Sequence, residues 1–391
     1  VGATGGKMPA HDVRQRVHAQ PPSPGFEHHE RFGWEPDRLI ETLRAEMERP
    51  FDLAQGPLFR AELLRLAADE HVLAVSLHHV ISDGWSQGIL ARELAGLYER
   101  LMAGAAPDLP PLPIQYTDYV QWQRQQTQEP GWTQALDYWR HQLRGEMPML
   151  NLPTRGPRPA VQTFHGRTWS FQFPARLLAE LKAVAHREGA TLFMVLLAGF
   201  KAVLQRYSGQ DDIAVGTPVA NRNRIETEGL VGLFANTLVL RTSLACNPSF
   251  SELLRREREV ALGAFAHQVL PFEKLVADLN PKRDPSRSLL FQVLFALQNL
   301  PSETLRLPGL TLTPLPVDLG VAMFDLSWYV QEAADGLEVT VEYNSDLFDA
   351  EWIERMAGLR RLGGLGLRLR RAIFFGRILS GRGGLLGEGG A

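Results

Sequence analysis

Two hydrophobic periods meet at one short stretch of this chain, His78-His79-Val80-Ile81-Ser82-Asp83-Gly84-Trp85-Ser86. Before it, 71–80 is an apolar run that reads as a strand, and 57–66 alternates enough to be its antiparallel partner across Asp69-Glu70. After it, Leu90, Leu94, Leu97, Tyr98 and Leu101 fall at helical spacing and predict a helix over 86–102. Asp83-Gly84 is then a strand-to-helix junction, and the chain must mix both kinds of element. No short-period repeat is visible. Neither half shows a regular βαβ rhythm, so a mixed α/β sandwich in two lobes fits better than a doubly wound sheet.

The remaining pattern divides the chain. Roughly the first thirty residues are polar and rich in Pro and Gly, and read as loop. Helices are predicted over 36–49, 115–128 and 132–144. Pro148, Pro153, Pro157 and Pro159 mark 148–166 as a linker between an N-terminal lobe, 1–147, and a C-terminal lobe, 167–358. In the second lobe, strands are predicted at 168–173, 213–217, 238–242, 291–298 and 336–343. Helices are predicted at 175–188, 191–207 and 251–267. The tail 359–391 is almost wholly Gly, Arg and Leu and reads as disordered or non-native, because scattered glycines oppose a stable helix.

Composition narrows the function classes. The 391 residues suit one large or two medium domains, and 45% hydrophobic with 22% charged residues is ordinary globular usage. A net charge of -3 gives no electrostatic case for nucleic acid or a membrane surface. The longest apolar run, 192–200, is shorter than the roughly 20 residues of a spanning helix. Cys246 is the single cysteine, so no internal disulfide is possible and a reducing, cytoplasmic setting is expected. No base or cation neighbours Cys246 in sequence, so a buried structural role is expected for it. The chain starts without Met or an apolar leader and reads as a fragment of something longer.

The chemistry concentrates at the junction. Neighbours on a strand point to opposite faces, so His78 and His79 cannot serve one site in the same way. His79, nearer the turn, is the candidate acid–base group, since an imidazole titrates near neutrality. His78 is expected to steady the turn. Asp83 is a candidate helix cap or arginine partner, or a direct proton carrier. Gly84 allows a tight turn or close substrate approach. His-His-x-x-x-Asp could also supply metal ligands, which the opposed faces disfavour. No Gly-x-Ser-x-Gly elbow is present.

These residues resemble the condensation domain of non-ribosomal peptide synthetases. His78 to Gly84 matches that family's His-His-x-x-x-Asp-Gly, followed by its common Trp85-Ser86. Tyr116 to Trp122 looks like its Tyr-x-Asp-Tyr-x-x-Trp block, and Gly232 to Thr237 like Gly-x-Phe-x-Asn-Thr. His267 to Glu273 resembles His-Gln-Asp-x-Pro-Phe-Glu, with Val269 in place of Asp. Arg283 to Leu290 resembles Arg-Asp-x-Ser-Arg-x-Pro-Leu, with Leu289 in place of Pro. The family's two earliest blocks are absent, so the first lobe is expected to be incomplete. Family-like text ends near Ala357-Gly358.

The resemblance implies two chloramphenicol-acetyltransferase-like lobes in a V-shaped pseudo-dimer around a tunnel. It implies amide formation between a donor acyl or peptidyl thioester on an upstream carrier protein and the amine of an aminoacyl thioester on a downstream one, beside an adenylation domain. Substrates would arrive on phosphopantetheine arms, with no cofactor bound by the domain itself and no metal, nucleic acid or membrane. His79 would deprotonate or position the amine. Arg222, or failing it Arg224, would pair with Asp83. Trp85, Ser86, Asn236, His267 and Gln268 would line the tunnel or support it. The wording of the motif resembles domains joining two L-configured residues. Alternatives are dual epimerising or lipid-initiating subtypes, another acyltransferase or epimerisation domain of the superfamily, or a non-catalytic module that recruits carriers or a tailoring enzyme.

Overall fold

The computed structural model describes residues 15–17, 25–298 and 307–358, so the expected tail at 359–391 lies outside the described residues. The chain divides into two compact units, Val1–Ile81 and Ser82–Ala391.

The first unit is a three-stranded sheet with one helix. Strand β1 (Gly25–Glu30) runs parallel to β2 (Phe59–Arg65), which pairs antiparallel with β3 (His71–Leu77). The β2–β3 hairpin expected around Asp69-Glu70 is present, with Leu64 opposite Val72. Helix α1 (Pro36–Glu48) opens on its proline and buries Leu39 and Leu43. β1 was expected to be loop. Its sequence, Gly-Phe-Glu-His-His-Glu, lacks an alternating apolar face, and it gains its strand form from pairing along β2.

The second unit opens with α2 (Gly84–Met102), α3 (Tyr116–Gln126) and α4 (Pro130–Gln142). It continues with β4 (Gly166–Pro174), α5 (Ala175–Arg187), α6 (Leu192–Ser208), β5 (Asp212–Val219), β6 (Asn236–Ser243) and α7 (Phe250–Ala266). Then come α8 (Phe272–Leu279), β7 (Val293–Gln298), β8 (Leu326–Ala333), β9 (Gly336–Asn344) and α9 (Ala350–Met356). Its six strands lie in the order β4-β9-β8-β7-β5-β6, with β7 parallel to both β5 and β8 and the other pairs antiparallel. Both units are therefore mixed α/β, the class the sequence implied. Helix α8, strand β8 and helix α9 have no counterpart among the sequence-based expectations, although Leu326, Trp328 and Val330 alternate inward along β8.

The core is built where the large sheet packs on its helices. Val215, Leu240, Phe295, Trp328, Val330, Val339 and Val341 pack with α6, whose Val195, Leu197, Ala198 and Leu204 are buried. This explains why α6 reads as an apolar run: it is enclosed by α5, α7 and the sheet. Among the described residues no single helix is long and apolar enough to cross a membrane. The 148–166 stretch lies along this unit. Leu150 and Leu152 are buried, Leu150 N–H donates to Gln292 Oε1 at 2.8 Å, and Arg158 Nη1 donates to Asp325 Oδ1 at 2.9 Å.

Besides β1, two further expectations do not hold. β3 ends at Leu77 rather than running to Val80, because the Ile81 amide donates to the His78 carbonyl at 3.0 Å and winds His79–Ile81 into a 3₁₀ turn. Cys246 is exposed, not buried. Cys246 and Asn247 both take left-handed backbone, at φ 67° and 48°, in the turn after β6, which leaves the thiol at the surface.

Candidate active site

The unit boundary falls inside the motif, between Ile81 and Ser82. In the first unit the two histidines differ by turn geometry rather than by strand alternation. His78 N–H donates to Leu58 O at 3.0 Å, and His78 Nδ1 accepts the Val80 amide at 3.1 Å. That bond places the proton of the neutral ring on Nε2. The Phe51 ring meets His78 edge-on at 5.9 Å, while its own face lies 3.8 Å from the Arg60 guanidinium carbon. His78 is thereby a half-buried member of the turn, whereas His79 is exposed.

In the second unit Asp83 caps α2. Its Oδ1 accepts Ser86 N–H at 2.8 Å and faces Ser86 Oγ at 2.7 Å; its Oδ2 accepts the Phe234 and Ala235 amides at 3.0 and 3.2 Å. Arg222 Nη2 lies 3.2 Å from Oδ1. Burial alone raises the Asp83 carboxyl, but the bonds from Ser86 and Phe234 and the charge of Arg222 outweigh it and hold the group below the usual carboxylate range. Of the two arginines considered, Arg222 is the partner. Arg224 instead stacks over Trp122 at 4.5 Å.

Arg222 and Ser86 extend this cap into a knot. Arg222 Nη1 donates to the carbonyls of Thr227 and Leu230, and its guanidinium carbon sits 4.0 Å from the centre of the Phe234 ring. Ser86 is fully buried: its Oγ accepts from Arg222 Nη2 at 3.0 Å and from Gly232 N–H at 3.1 Å. Its one hydroxyl proton is shared between Asp83 Oδ1 and Gly232 O, the latter at 2.9 Å. Trp85 Nε1 ties Glu228 O at 3.0 Å.

The knot also draws in the blocks at Tyr116–Trp122 and Gly232–Thr237. Tyr116 Oη donates to Leu233 O at 2.8 Å, and a Cβ on Gly232 would lie 2.4 Å from the Tyr116 ring. Tyr119 packs on Phe234 at 4.5 Å, and its burial lifts the phenol to about 12. Gly232, Phe234 and Tyr116 were not singled out as site residues. Their sequence signal was their place at fixed positions of two family-like blocks, Tyr116–Trp122 and Gly232–Thr237.

Asn236, His267 and Gln268 come together elsewhere in the unit. Asn236 Nδ2 donates to Gln268 O and Leu270 O at 2.9 and 2.8 Å. His267 Nδ1 lies 2.7 Å from Gly263 O, and because a carbonyl only accepts, the proton is on Nδ1. The His267 ring stacks on Tyr138 at 4.2 Å, and Gln268 Nε2 donates to Phe265 O at 2.9 Å. These contacts tie all three side chains to backbone or to a neighbouring ring within the unit. Sequence reasoning also missed a buried ion pair in the core, Lys201 Nζ to Glu257 Oε2 at 2.8 Å, although a lysine inside an apolar helix was its visible trace.

Comparisons with known proteins agree with this architecture. A family model described as "Condensation domain" matches residues 10–360. One of the subunits of linear gramicidin synthase from Brevibacillus parabrevis is 51% identical over 321 residues, covering 82% of this chain and 6% of that protein. Phosphinothricin tripeptide synthetase PhsB of Streptomyces viridochromogenes is 44% identical over 330 residues, 82% of this chain and 28% of that protein. This chain therefore spans a small part of the length of these curated relatives. Among solved structures, the X-domain in its complex with OxyB from teicoplanin biosynthesis superposes with a TM-score of 0.81 at 28% identity, covering 96% of this chain and 82% of that one.

Proposed function

The chain belongs to the condensation domain family, and on that premise we propose that it forms an amide bond in a non-ribosomal peptide synthetase. The donor is an acyl or peptidyl thioester on an upstream carrier protein; the acceptor is the amine of an aminoacyl thioester on a downstream carrier, next to an adenylation domain. The amine nitrogen attacks the thioester carbonyl, the new C–N bond forms as the C–S bond breaks, and the departing thiolate takes up a proton equivalent to the one the amine loses. Phosphopantetheine arms present both substrates, and the domain contributes no cofactor. The pairing we favour is of two L-configured residues.

The observation that carries this reading is the division of roles inside the motif. Asp83 is committed to buried partners and His78 to its turn, whereas the His79 imidazole is exposed. An imidazole there accepts the amine proton or orients the attacking nitrogen. Because a thioester is already activated, holding the two reactants together supplies much of the acceleration.

The test is condensation between two loaded carriers by the domain in its synthetase and by its His79→Ala variant. Loss of dipeptide in a variant that folds normally supports the role of His79; unchanged dipeptide formation removes His79 from the mechanism. A second reading is favoured by the similarity to the X-domain solved with OxyB: a non-catalytic module that recruits a partner. In that case no dipeptide forms even with the wild-type domain.

A further inference from the structure

Asn236, the first residue of β6, uses all of its hydrogen-bonding capacity on backbone. Beside its two Nδ2 bonds to Gln268 O and Leu270 O, its Oδ1 accepts the Thr237 and Phe272 amides, each at 2.9 Å. Two donors and two acceptor sites are thereby filled, and none is left for a substrate. The residues immediately before it, Phe234 and Ala235, are those whose amides close on Asp83 Oδ2.

We propose that Asn236 is a positioning residue for the reaction at the motif: by fastening the end of the 232–236 segment to the 268–272 turn, it aims the Phe234 and Ala235 amides at the Asp83 carboxylate. The proposal rests on the amide-forming reading only where it concerns the reaction.

The 232–236 segment is anchored at both ends. The near end of the segment is fixed without Asn236, since Gly232 N–H bonds Ser86 Oγ and Leu233 O receives the Tyr116 hydroxyl. At the far end, among the described residues, the side-chain hydrogen bonds to residues 268–272 come from Asn236, beside the backbone pairing that sets Asn236 opposite Val219 where β6 begins. Phe234 and Ala235 lie between the two. A productive site needs its parts held within roughly 0.5 Å, and without the Asn236 side chain the far end keeps only the terminal pairing of β6 with β5, which lets two consecutive amides shift away from Oδ2. The Oδ1 side of Asp83, bonded to Ser86 within the first turn of α2, has no such dependence. The charged and titratable groups facing Asp83 are Arg222, Tyr116 and, beyond it, Tyr119. The four bonds of Asn236 go to backbone and to none of these groups.

Native-state amide exchange on the wild-type chain tests the frame without any substitution. The amides of Phe234, Ala235, Thr237 and Phe272 should open with one shared free energy, as a cooperative unit does. In Asn236→Ala, exchange at Phe234 and Ala235 should rise at least about tenfold while Ser86 keeps its protection. The Asp83 carboxyl, followed by carbon-13 NMR, should titrate higher than in the wild type, because two donors to its charged form are weakened. With loaded carriers, kcat should fall with KM little changed. Asn236→Ser, which keeps one oxygen, should give smaller changes of the same sign and carries the test if the alanine variant does not fold. Independent opening of the wild-type amides, or a folded variant with unchanged exchange at Phe234 and Ala235, overturns the proposal. Exchange is read separately from dipeptide formation, so the anchoring role and the amide-forming reading can fail independently of each other.

Discussion

Arg222 Nη2 and Asp83 Oδ1 lie 3.2 Å apart with both side chains almost wholly excluded from solvent, so the motif's aspartate is bound to a residue far along the chain rather than offered to a substrate. Removing one member of such a pair strands the other charge in the interior, which typically costs about 3–5 kcal/mol. Asp83→Ala should therefore unfold at distinctly lower denaturant concentration and lose activity with it. A soluble Asp83→Ala protein with an unchanged midpoint and no activity would show instead that the carboxylate serves chemistry and not structure.

The same carboxyl gives a signed pH dependence. Its folded value is depressed, so the native state releases this proton more readily than the unfolded chain. Its contribution is complete above the unfolded value, about 3.9, and disappears as pH falls through the folded value. Asp83→Asn should flatten that part of the acid limb in a denaturation series run from neutral pH downward.

Glu342 behaves in the opposite sense. Burial raises its carboxyl above the usual range, and the charge of Asp318 pushes in the same direction. The folded state then holds the proton more tightly, so its contribution is complete below about 4.3, the ordinary glutamate value, and is lost as pH rises through the folded one. Glu342→Gln keeps the shape of the side chain without its charge. The variant should be more stable than the wild type at pH 7 by thermal melting, and a lower melting temperature there would contradict this account.

The sequence carried the motif, the strand-to-helix junction and the core helices because each is a local pattern. It made His79 the candidate imidazole partly through a strand alternation that does not exist. The 3₁₀ turn at His79–Ile81 depends on a bond from Ile81 to His78, and no periodicity encodes it. β1 was illegible because its strand form comes from β2, and Cys246 was misplaced because its exposure follows from two left-handed residues. The Asp83 knot joins residues more than a hundred positions apart. Its partner Arg222 was reached only through family resemblance, and its aromatic side not at all.

Gly232 shows how tightly that aromatic side is built. An alanine methyl there would lie 2.4 Å from the Tyr116 ring, closer than atoms pack. Overpacking of this kind typically costs about 1–3 kcal/mol. Gly232→Ala should lower the denaturation midpoint, and adding Tyr116→Leu should recover part of the loss by vacating the space. If the double variant is no better than the sum of the singles, the ring is not what the methyl meets.

His78 should be separable from His79 by what each loses. His78→Ala removes the edge contact with Phe51 and the acceptor for Val80 N–H, together worth about 1–3 kcal/mol. Its effect should appear as lower stability, with activity restored on cooling. His79→Ala should leave the melting temperature near that of the wild type. Equal destabilisation by both substitutions would show that the two rings share one structural task.

The buried pair in the core supplies the last test. Lys201 Nζ donates to Leu240 O, Thr242 Oγ1 and Glu257 Oε2 at 2.9, 2.8 and 2.8 Å, filling all three of its protons and joining α6, β6 and α7. Glu257 is less well served: Thr242 Oγ1 also bonds Oε2, at 2.9 Å, while the buried Oε1 has no partner among the described residues. Lys201→Met leaves that carboxylate uncompensated and should cost about 3–5 kcal/mol. Pairing it with Glu257→Leu removes both charges and should return most of that loss, since an apolar pair of similar volume is often as stable as a buried ion pair. Urea denaturation of the two single variants and the double closes the cycle. A double variant as unstable as the summed singles would mean that the pair holds α7 in place by bonds an apolar contact cannot replace.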